Sequence, residues 1–330
     1  MKILVTGGAG YIGSHTIKEL LKEGHTVVAF DNLFNGHKEA ILNPALLISG
    51  NLADKAKLNT VFLENNFDAV IHFAGFIEAG QSVIDPLLYF KNNVADSIIL
   101  LEVMKDNNVK KIVFSSSAAV YGEPKDIPIK EDHPTNPTNA YGLTKLMFEQ
   151  MLSWVDKAYG IKSVSLRYFN AAGADIDGVL GEDHPHETHL IPLILQTALG
   201  KREVVSIFGS DYNTPDGTCI RDYIHVTDLA LAHILALNYL NKKNESKAFN
   251  LGNGEGFSVK EVIKTSEEVV GKQISVLHAE RRSGDPARLI ADSSLAINLL
   301  GWQPRYNSLN TIIESAWQWI KNHPLGYGND

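Results

Sequence analysis

Lys2-Ile3-Leu4-Val5-Thr6-Gly7-Gly8-Ala9-Gly10-Tyr11-Ile12-Gly13 stands near the start of the chain, and its reading decides the fold. The first five residues predict a short apolar strand, and glycines follow with no polar loop between. Beyond them Ile17, Leu20 and Leu21 fall on one helical face, and Gly24 stops the run. Residues 26–30 read as a second strand that ends at Asp31. Strand, glycine turn, helix, strand and acid within the first 31 residues are the context that a dinucleotide-binding turn requires. Bare glycine backbone lets amides approach a pyrophosphate at a helix N-terminus. An acid closing the second strand accepts hydrogen bonds from an adenosine ribose and repels a 2′-phosphate, which favours NAD over NADP.

The alternation continues outward. Residues 45–49, 68–73 and 111–115 read as strands, with a helix over 85–107 between the last two. Phe73-Ala74-Gly75 lies just past a strand's carboxyl end, where open parallel sheets bind ligands. The strand at 111–115 runs into Ser116-Ser117 at the same edge, 24 residues before Tyr141. Tyr141 and Lys145 are then four residues apart at the start of an apolar helix, so they share a face with Cβ atoms roughly 6 Å apart. A phenol becomes a base near neutral pH only if its phenolate is stabilised by ~4 kcal/mol. A nearby ammonium supplies part of that, and a cationic cofactor more. Hydroxyl, phenol and ammonium form a proton-handling set.

Composition narrows the classes. The 330 residues suffice for about two domains, and a net charge of −8 argues against a nucleic-acid surface. An anionic substrate therefore needs local arginines against an unfavourable mean field. The single cysteine, Cys219, rules out an internal disulfide, sits in no nucleophile motif and fits a reducing compartment. No apolar run approaches the ~20 residues of a membrane span, and Met1-Lys2 leads straight into the first strand with no signal core. The expectation is a cytoplasmic enzyme with no nucleic-acid or membrane partner.

Taken together, these marks resemble the extended short-chain dehydrogenase/reductase superfamily, and more closely its UDP-glucose (UDP-galactose) 4-epimerases. The resemblance rests on Gly7-Gly8-Ala9-Gly10-Tyr11-Ile12-Gly13-Ser14-His15, Asp31-Asn32-Leu33, Asn92-Asn93-Val94 and Arg167-Tyr168-Phe169-Asn170. Arg221-Asp222-Tyr223-Ile224-His225-Val226, Arg281-Arg282-x-Gly284-Asp285 and His323-Pro324-x-Gly326-Tyr327 extend it along essentially the whole chain. It implies an α/β fold: a doubly wound parallel Rossmann sheet over residues 1–170, with some later segments returning to it. A smaller C-terminal α+β substrate-binding region over 171–330 completes it.

For the cofactor NAD, the resemblance implies contacts at Gly7, Gly10, Tyr11, Ile12, Asp31, Asn32, Asn35, Asn51, Leu52, Phe73, Ala74, Gly75, Asn92, Tyr141, Lys145 and Phe169. Three positions depart from the family's usual residues. Asn51 stands where Asp is usual near the adenine, Ile77 replaces a lysine, and Ala119 replaces a threonine that contacts the sugar in some members. Catalysis would fall to Tyr141, Lys145 and Ser117, and a UDP-hexose would meet Ser117, Tyr141, Asn170, His189 and Leu190. Ser206, Ile207 and Phe208 would hold the uracil, Arg221 and Arg282 the diphosphate, and Asp285 the ribose. Leu289 would line the sugar pocket where some members carry a tyrosine, and a smaller residue there is associated with N-acetylhexosamines. The implied reaction interconverts UDP-galactose and UDP-glucose through a 4-keto sugar, and with it UDP-GalNAc and UDP-GlcNAc. A homodimer is implied through the 85–107 and 141–157 helices.

In the second half, residues 162–168 read as the last clear strand of the sheet and 173–189 as a long loop. Asp183-His184-Pro185-His186-Glu187-Thr188-His189 invites a metal reading, but Pro185 interrupts it and the order fits no familiar zinc spacing, so no metal is expected. Helices are expected over 190–199, 227–240 (capped by Thr227) and 259–270, with strands over 204–208, 248–252 and 274–278 in the substrate region. A 4,6-dehydratase needs carboxylates just after the serine, where this chain has Ala118-Ala119-Val120. A reductase or decarboxylase on the same fold is the nearer rival, and a non-catalytic NAD sensor the more distant one.

Overall fold

Seven parallel strands form the centre of the computed structural model, which describes residues 1–282 and 285–328. Gly284 of the 281–285 motif lies outside the described residues. Across the sheet the order is Lys247–Leu251, Lys162–Tyr168, Lys111–Ser115, Ala69–His72, Lys2–Thr6, Thr26–Asp31 and Leu46–Ser49. Side chains alternate between faces along each strand. Ile3 and Val5 therefore enter one apolar layer with Ile17, Leu20, Leu229 and Leu237. Leu4 enters the opposite layer with Leu58, Leu100 and Phe148. Helices Tyr11–Lys22 and Val226–Lys243 cover the first face; Lys55–Asn65, Asp96–Asp106 and Ala140–Tyr159 cover the second. Covered on both faces, the strands can be apolar throughout, as Leu4, Val5, Val70 and Val113 (all 0% exposed) are.

The sequence expectation fails at three places. The strand expected over 248–252 in the substrate region is Lys247–Leu251, and it is a later segment that returns to the sheet, pairing in parallel with Lys162–Tyr168 from Lys247 opposite Val164 to Leu251 opposite Tyr168. Lys162–Tyr168 is thus not the last strand of the sheet. Helix Val226–Lys243 returns the chain to the sheet, and the strand it delivers buries Phe249 and Leu251 completely. Second, the 85–107 helix is interrupted. It comprises Pro86–Tyr89, a wide π turn over Phe90–Ala95, and Asp96–Asp106. The wide turn coincides with Asn93 reaching the Phe76 backbone, accepting from its amide (2.8 Å) and donating to its carbonyl (3.0 Å). Third, the cap of the 226–243 helix is His225, whose Nδ1 accepts the Thr227 amide at 3.1 Å.

The smaller region has its own core. Helices Leu190–Ala198, Val259–Val270 and Leu309–Asn322 pack with strand Val205–Phe208, which pairs on its outer side with the exposed strand Val276–Ala279. A separate three-stranded sheet puts Ile220–Arg221 between Phe257–Ser258 and Arg288–Leu289. Residues 173–189 carry no helix or strand. Among the described residues, no helix is long and apolar enough to cross a membrane.

Candidate active site

The strand order reverses between Lys2–Thr6 and Ala69–His72, the place where open α/β sheets receive ligands at their carboxyl ends. A cleft opens there, and every residue assigned to the cofactor in the sequence lines it, from Gly7 and Asp31 to Tyr141, Lys145 and Phe169. Ser117, Asn170 and His189 line the same cleft. The glycines serve different ends. Gly7 has φ +70° and a Cβ there would lie 2.5 Å from the Ala74 nitrogen; one at Gly13 would lie 2.2 Å from the Gly7 carbonyl oxygen. Both positions are demanded by the fold itself. A Cβ at Gly10 would meet nothing nearer than 3.4 Å, so the fold itself does not require a bare backbone there.

Asp31 is held by the glycine turn, its carboxylate accepting the amides of Ala9 (2.9 Å) and Leu33 (2.8 Å). Burial lifts this carboxyl above its ordinary value, and those amides oppose the lift. His72, under the turn, bonds Thr6 Oγ1 at 2.7 Å and Ser97 Oγ at 3.1 Å, and burial drives it down to about 3, so it is neutral.

The sequence assigned Lys145 the task of lowering the Tyr141 pKa. In the structure the Lys145 ammonium donates to the Ser115 carbonyl at 2.9 Å and lies 5.7 Å from the Tyr141 ring centre. Burial raises the Tyr141 pKa, opposed by a hydrogen bond with Ser117, and lowers Lys145 to about 8. In the protein alone desolvation outweighs the Ser117 hydrogen bond, so the Tyr141 phenol is held above its ordinary value. The serine edge rests on a buried polar network that sequence reasoning left out. Arg167 holds Glu149 through Nη2 (2.6 Å) and Nε (3.0 Å) and donates to the Tyr121 hydroxyl at 2.9 Å. Tyr121 donates to Asn250 Oδ1 at 2.7 Å, and Ser116 also bonds Glu149. Tyr168, hydrogen-bonded to Ser115, and His184 were likewise missed among the cleft residues. Position at a strand's carboxyl end was the signal for Tyr168.

The residues assigned to the uracil, diphosphate and ribose do not line this cleft and lie on the smaller region. Arg221 pairs with Asp285, and the Arg282 guanidinium stacks 3.9 Å from the Phe208 ring centre. Ser206 and Phe208 share the open side of their strand, whereas Ile207 is 3% exposed and turned into the core. Strand alternation assigns the Ile207 side chain to the other face, so on the open side this residue presents only its backbone. Leu190 packs partly against the same core. Leu289 packs with Phe169 against Val120, Tyr121, Ile129 and Leu146. Asp222, in the middle of the arginine-aspartate-tyrosine motif, is structural: wholly buried, it accepts the amides of Asn253, Gly254 and Ala291. Cys219 is buried, and burial pushes its thiol up. The 182–189 segment crosses the cleft wall and gathers Glu182, His184, Glu187 and His189.

A profile described as the NAD dependent epimerase/dehydratase family matches residues 3–252. The UDP-glucose 4-epimerase of Halalkalibacterium halodurans is 56% identical over 330 residues, covering 100% of this chain and 98% of that protein. A solved UDP-glucose 4-epimerase from Bifidobacterium longum, in complex with NAD+ and UDP, superposes with TM-score 0.95 at 43% identity, covering 99% of this chain and 100% of that one. The UDP-Glc/GlcNAc 4-epimerase of Campylobacter jejuni superposes with TM-score 0.86 at 45% identity, over 97% and 99% of the two chains. With a parallel sheet, a glycine turn and a serine-tyrosine-lysine set in one cleft, the chain belongs to the NAD-dependent epimerase/dehydratase family.

Proposed function

We propose that this enzyme interconverts UDP-galactose and UDP-glucose, using NAD that is regenerated in each turnover. The observation that carries the reading is the shared cleft of the glycine turn, Asp31, Ser117, Tyr141 and Lys145. When bound, NAD supplies a hydride acceptor and donor for the sugar's C4 and a positive charge that favours the Tyr141 phenolate. Asp31 holds the adenosine ribose, and the Gly10 backbone leaves room for the pyrophosphate. Tyr141 takes the 4-hydroxyl proton as C4 is oxidised and returns it as C4 is reduced, while Ser117 hydrogen-bonds the reacting oxygen. Lys145 supplies a fixed positive charge beside both.

Inverting C4 requires the 4-keto sugar to turn over between the two hydride transfers. The nucleotide must therefore be gripped and the hexose held loosely. Arg221 and Arg282 are the grip on the diphosphate, with Ser206 and Phe208 at the uracil. Arg221 and Asp285, paired with each other, exchange that bond for phosphate and ribose when the nucleotide binds. Ala119 and Leu289 leave the hexose few fixed contacts, a pocket that also admits UDP-GalNAc and UDP-GlcNAc. The dehydratase reading lacks its acid, since residues 118–120 carry no carboxylate. The enzyme acts in the cytoplasm as a homodimer.

Incubation of the purified protein with UDP-galactose tests the reading. UDP-glucose is expected without any nucleotide-sugar reductant, and NAD addition restores any activity lost with cofactor. Absence of UDP-glucose even with NAD present sinks it; accumulation of a reduced or decarboxylated product instead favours the rival enzymes.

A further inference from the structure

Four side chains on one short segment converge beside the cofactor cleft. The donor atoms of Glu182, His184, Glu187 and His189 all lie within 4.8 Å of one another. We propose that they form a binding site for a divalent transition-metal ion, with zinc as the ion whose preferences they match. A tetrahedral zinc site with bonds near 2.0–2.1 Å has neighbouring donors about 3.3 Å apart. His184 Nδ1 stands 3.3 Å from Glu187 Oε2 and 3.5 Å from Glu182 Oε1, and His189 Nδ1 stands 3.6 Å from Glu187 Oε1. The His189 Nδ1–Glu182 Oε1 separation, a 2.5 Å hydrogen bond, must lengthen by less than an ångström, and the wider donor separations, none beyond 4.8 Å, must draw in.

The surroundings favour an ion over a loose cluster of surface charge. Both glutamate side chains are only 6% exposed and that of His184 11%, while His189 opens toward the cleft at 43%. Two carboxylates removed from water need compensating positive charge. Protonated His184 and His189 pair with them in the ion-free protein, and one divalent ion would replace those protons with both imidazoles as neutral ligands. The donors are also pre-aimed. Glu187 Oε1 accepts the amides of Thr188 and His189, each at 2.7 Å, which orients that carboxylate as outer-shell bonds orient metal ligands. The segment itself is tied down: the Asp183 carbonyl accepts from His37 Nε2 at 3.1 Å, its carboxylate from the Tyr327 amide at 2.9 Å. Gly181 adds a bond from its amide to the Tyr327 hydroxyl at 3.0 Å.

Two imidazoles with two carboxylates suit zinc and its neighbours better than calcium or magnesium, which prefer oxygen alone. With all four positions filled by protein, the ion would brace the segment rather than activate water. It would fix the approach to helix Leu190–Ala198 and hold the wall that His184 and His189 form. Pro185 does not obstruct this, because the segment is a loop that folds its donors inward rather than a helix that spaces them.

The test is zinc retention by the full-length enzyme. Protein treated with a chelator is given zinc sulfate, desalted and measured by elemental analysis, beside Glu187→Gln, His184→Ala and the control His186→Ala, whose residue is exposed. One zinc per chain is expected for the unaltered protein and the control, with at least tenfold weaker retention in the other two. X-ray absorption on the zinc-loaded protein should show two imidazoles and two oxygen donors near 2.0–2.1 Å. The absorption spectrum decides the matter even if a variant folds poorly. Negligible retention by the unaltered protein, equal retention in Glu187→Gln, or a spectrum without two imidazoles overturns the proposal.

Discussion

Tyr141 and Lys145 carry opposite charges when ionised, yet burial works against both. The Tyr141→Phe variant retains the ring and loses the proton carrier. It should lower kcat by about 10²–10⁴-fold and leave UDP affinity nearly unchanged; a comparable loss of UDP affinity would show that the phenol binds rather than reacts. Lys145 gives a pH signature of its own. Its folded-state value is lowered to about 8 from the ordinary 10.5. Between those values the unfolded chain binds the proton that the folded one has released, so stability rises with pH across that window. For NAD-free protein the rise should approach 1.4 kcal/mol per pH unit, at roughly the limit for one proton. Denaturant titrations of Lys145→Met should lack it, and an unchanged slope would refute the assignment. At the sugar end, Leu289→Tyr should abolish turnover of UDP-GalNAc and spare UDP-galactose. Equal loss of both would remove Leu289 from specificity.

Elements explain which parts of the fold could be read and which could not. Lys2–Thr6, Lys111–Ser115 and Lys162–Tyr168 were legible to the residue because apolar runs bounded by turns have few other readings. Lys247–Leu251 was legible as a strand but not as a neighbour, since composition does not say which edge a strand joins. The break in the 85–107 helix was hidden for a related reason: its cross-link, Asn93 to Phe76, spans 17 residues. Arg167 stands in a family motif, but its partners Glu149 and Tyr121 come from other elements and reach it only through the packing of helix on strand. That ion pair is buried, with side chains 10% and 9% exposed. Arg167→Met should therefore cost about 3–5 kcal/mol, mostly by stranding the Glu149 carboxylate. Urea unfolding measures it, and the double variant Arg167→Met/Glu149→Leu should recover part of the loss.

On the scale of the molecule, the residues assigned to the cofactor gather in one cleft, and those assigned to the nucleotide lie on the smaller region. The first set hangs on one sheet edge, whereas the second depends on loops meeting across distance, as Arg221 and Asp285 do over 64 residues. The four donors at 182–189 were hidden even at short range, because a spacing rule made for helices does not describe a folded loop. The surface carries a further reading. Val83, Ile84 and Leu87 are 66%, 78% and 77% exposed, and Trp154 on the adjoining helix is 69% exposed. Such apolar residues fit the proposed dimer contact. Light scattering should give twice the chain mass, and Leu87→Glu with Trp154→Glu should give a monomer; a monomeric unaltered protein would end the proposal.

Strand Lys247–Leu251 at the sheet's edge also sets the order in which the protein can be made. A growing chain has every other strand of the sheet by residue 168, but the outer hydrogen-bonding edge of Lys162–Tyr168 is unpaired until residue 251 emerges. At about 5–20 residues per second, the intervening eighty or so residues take roughly 4–16 s. Over that interval a nascent chain presents an open edge, the kind of template that invites pairing with another chain. Ribosome-bound chains stalled after residue 170 should accordingly be protease-sensitive at that strand, and chains stalled well beyond residue 251 should be protected.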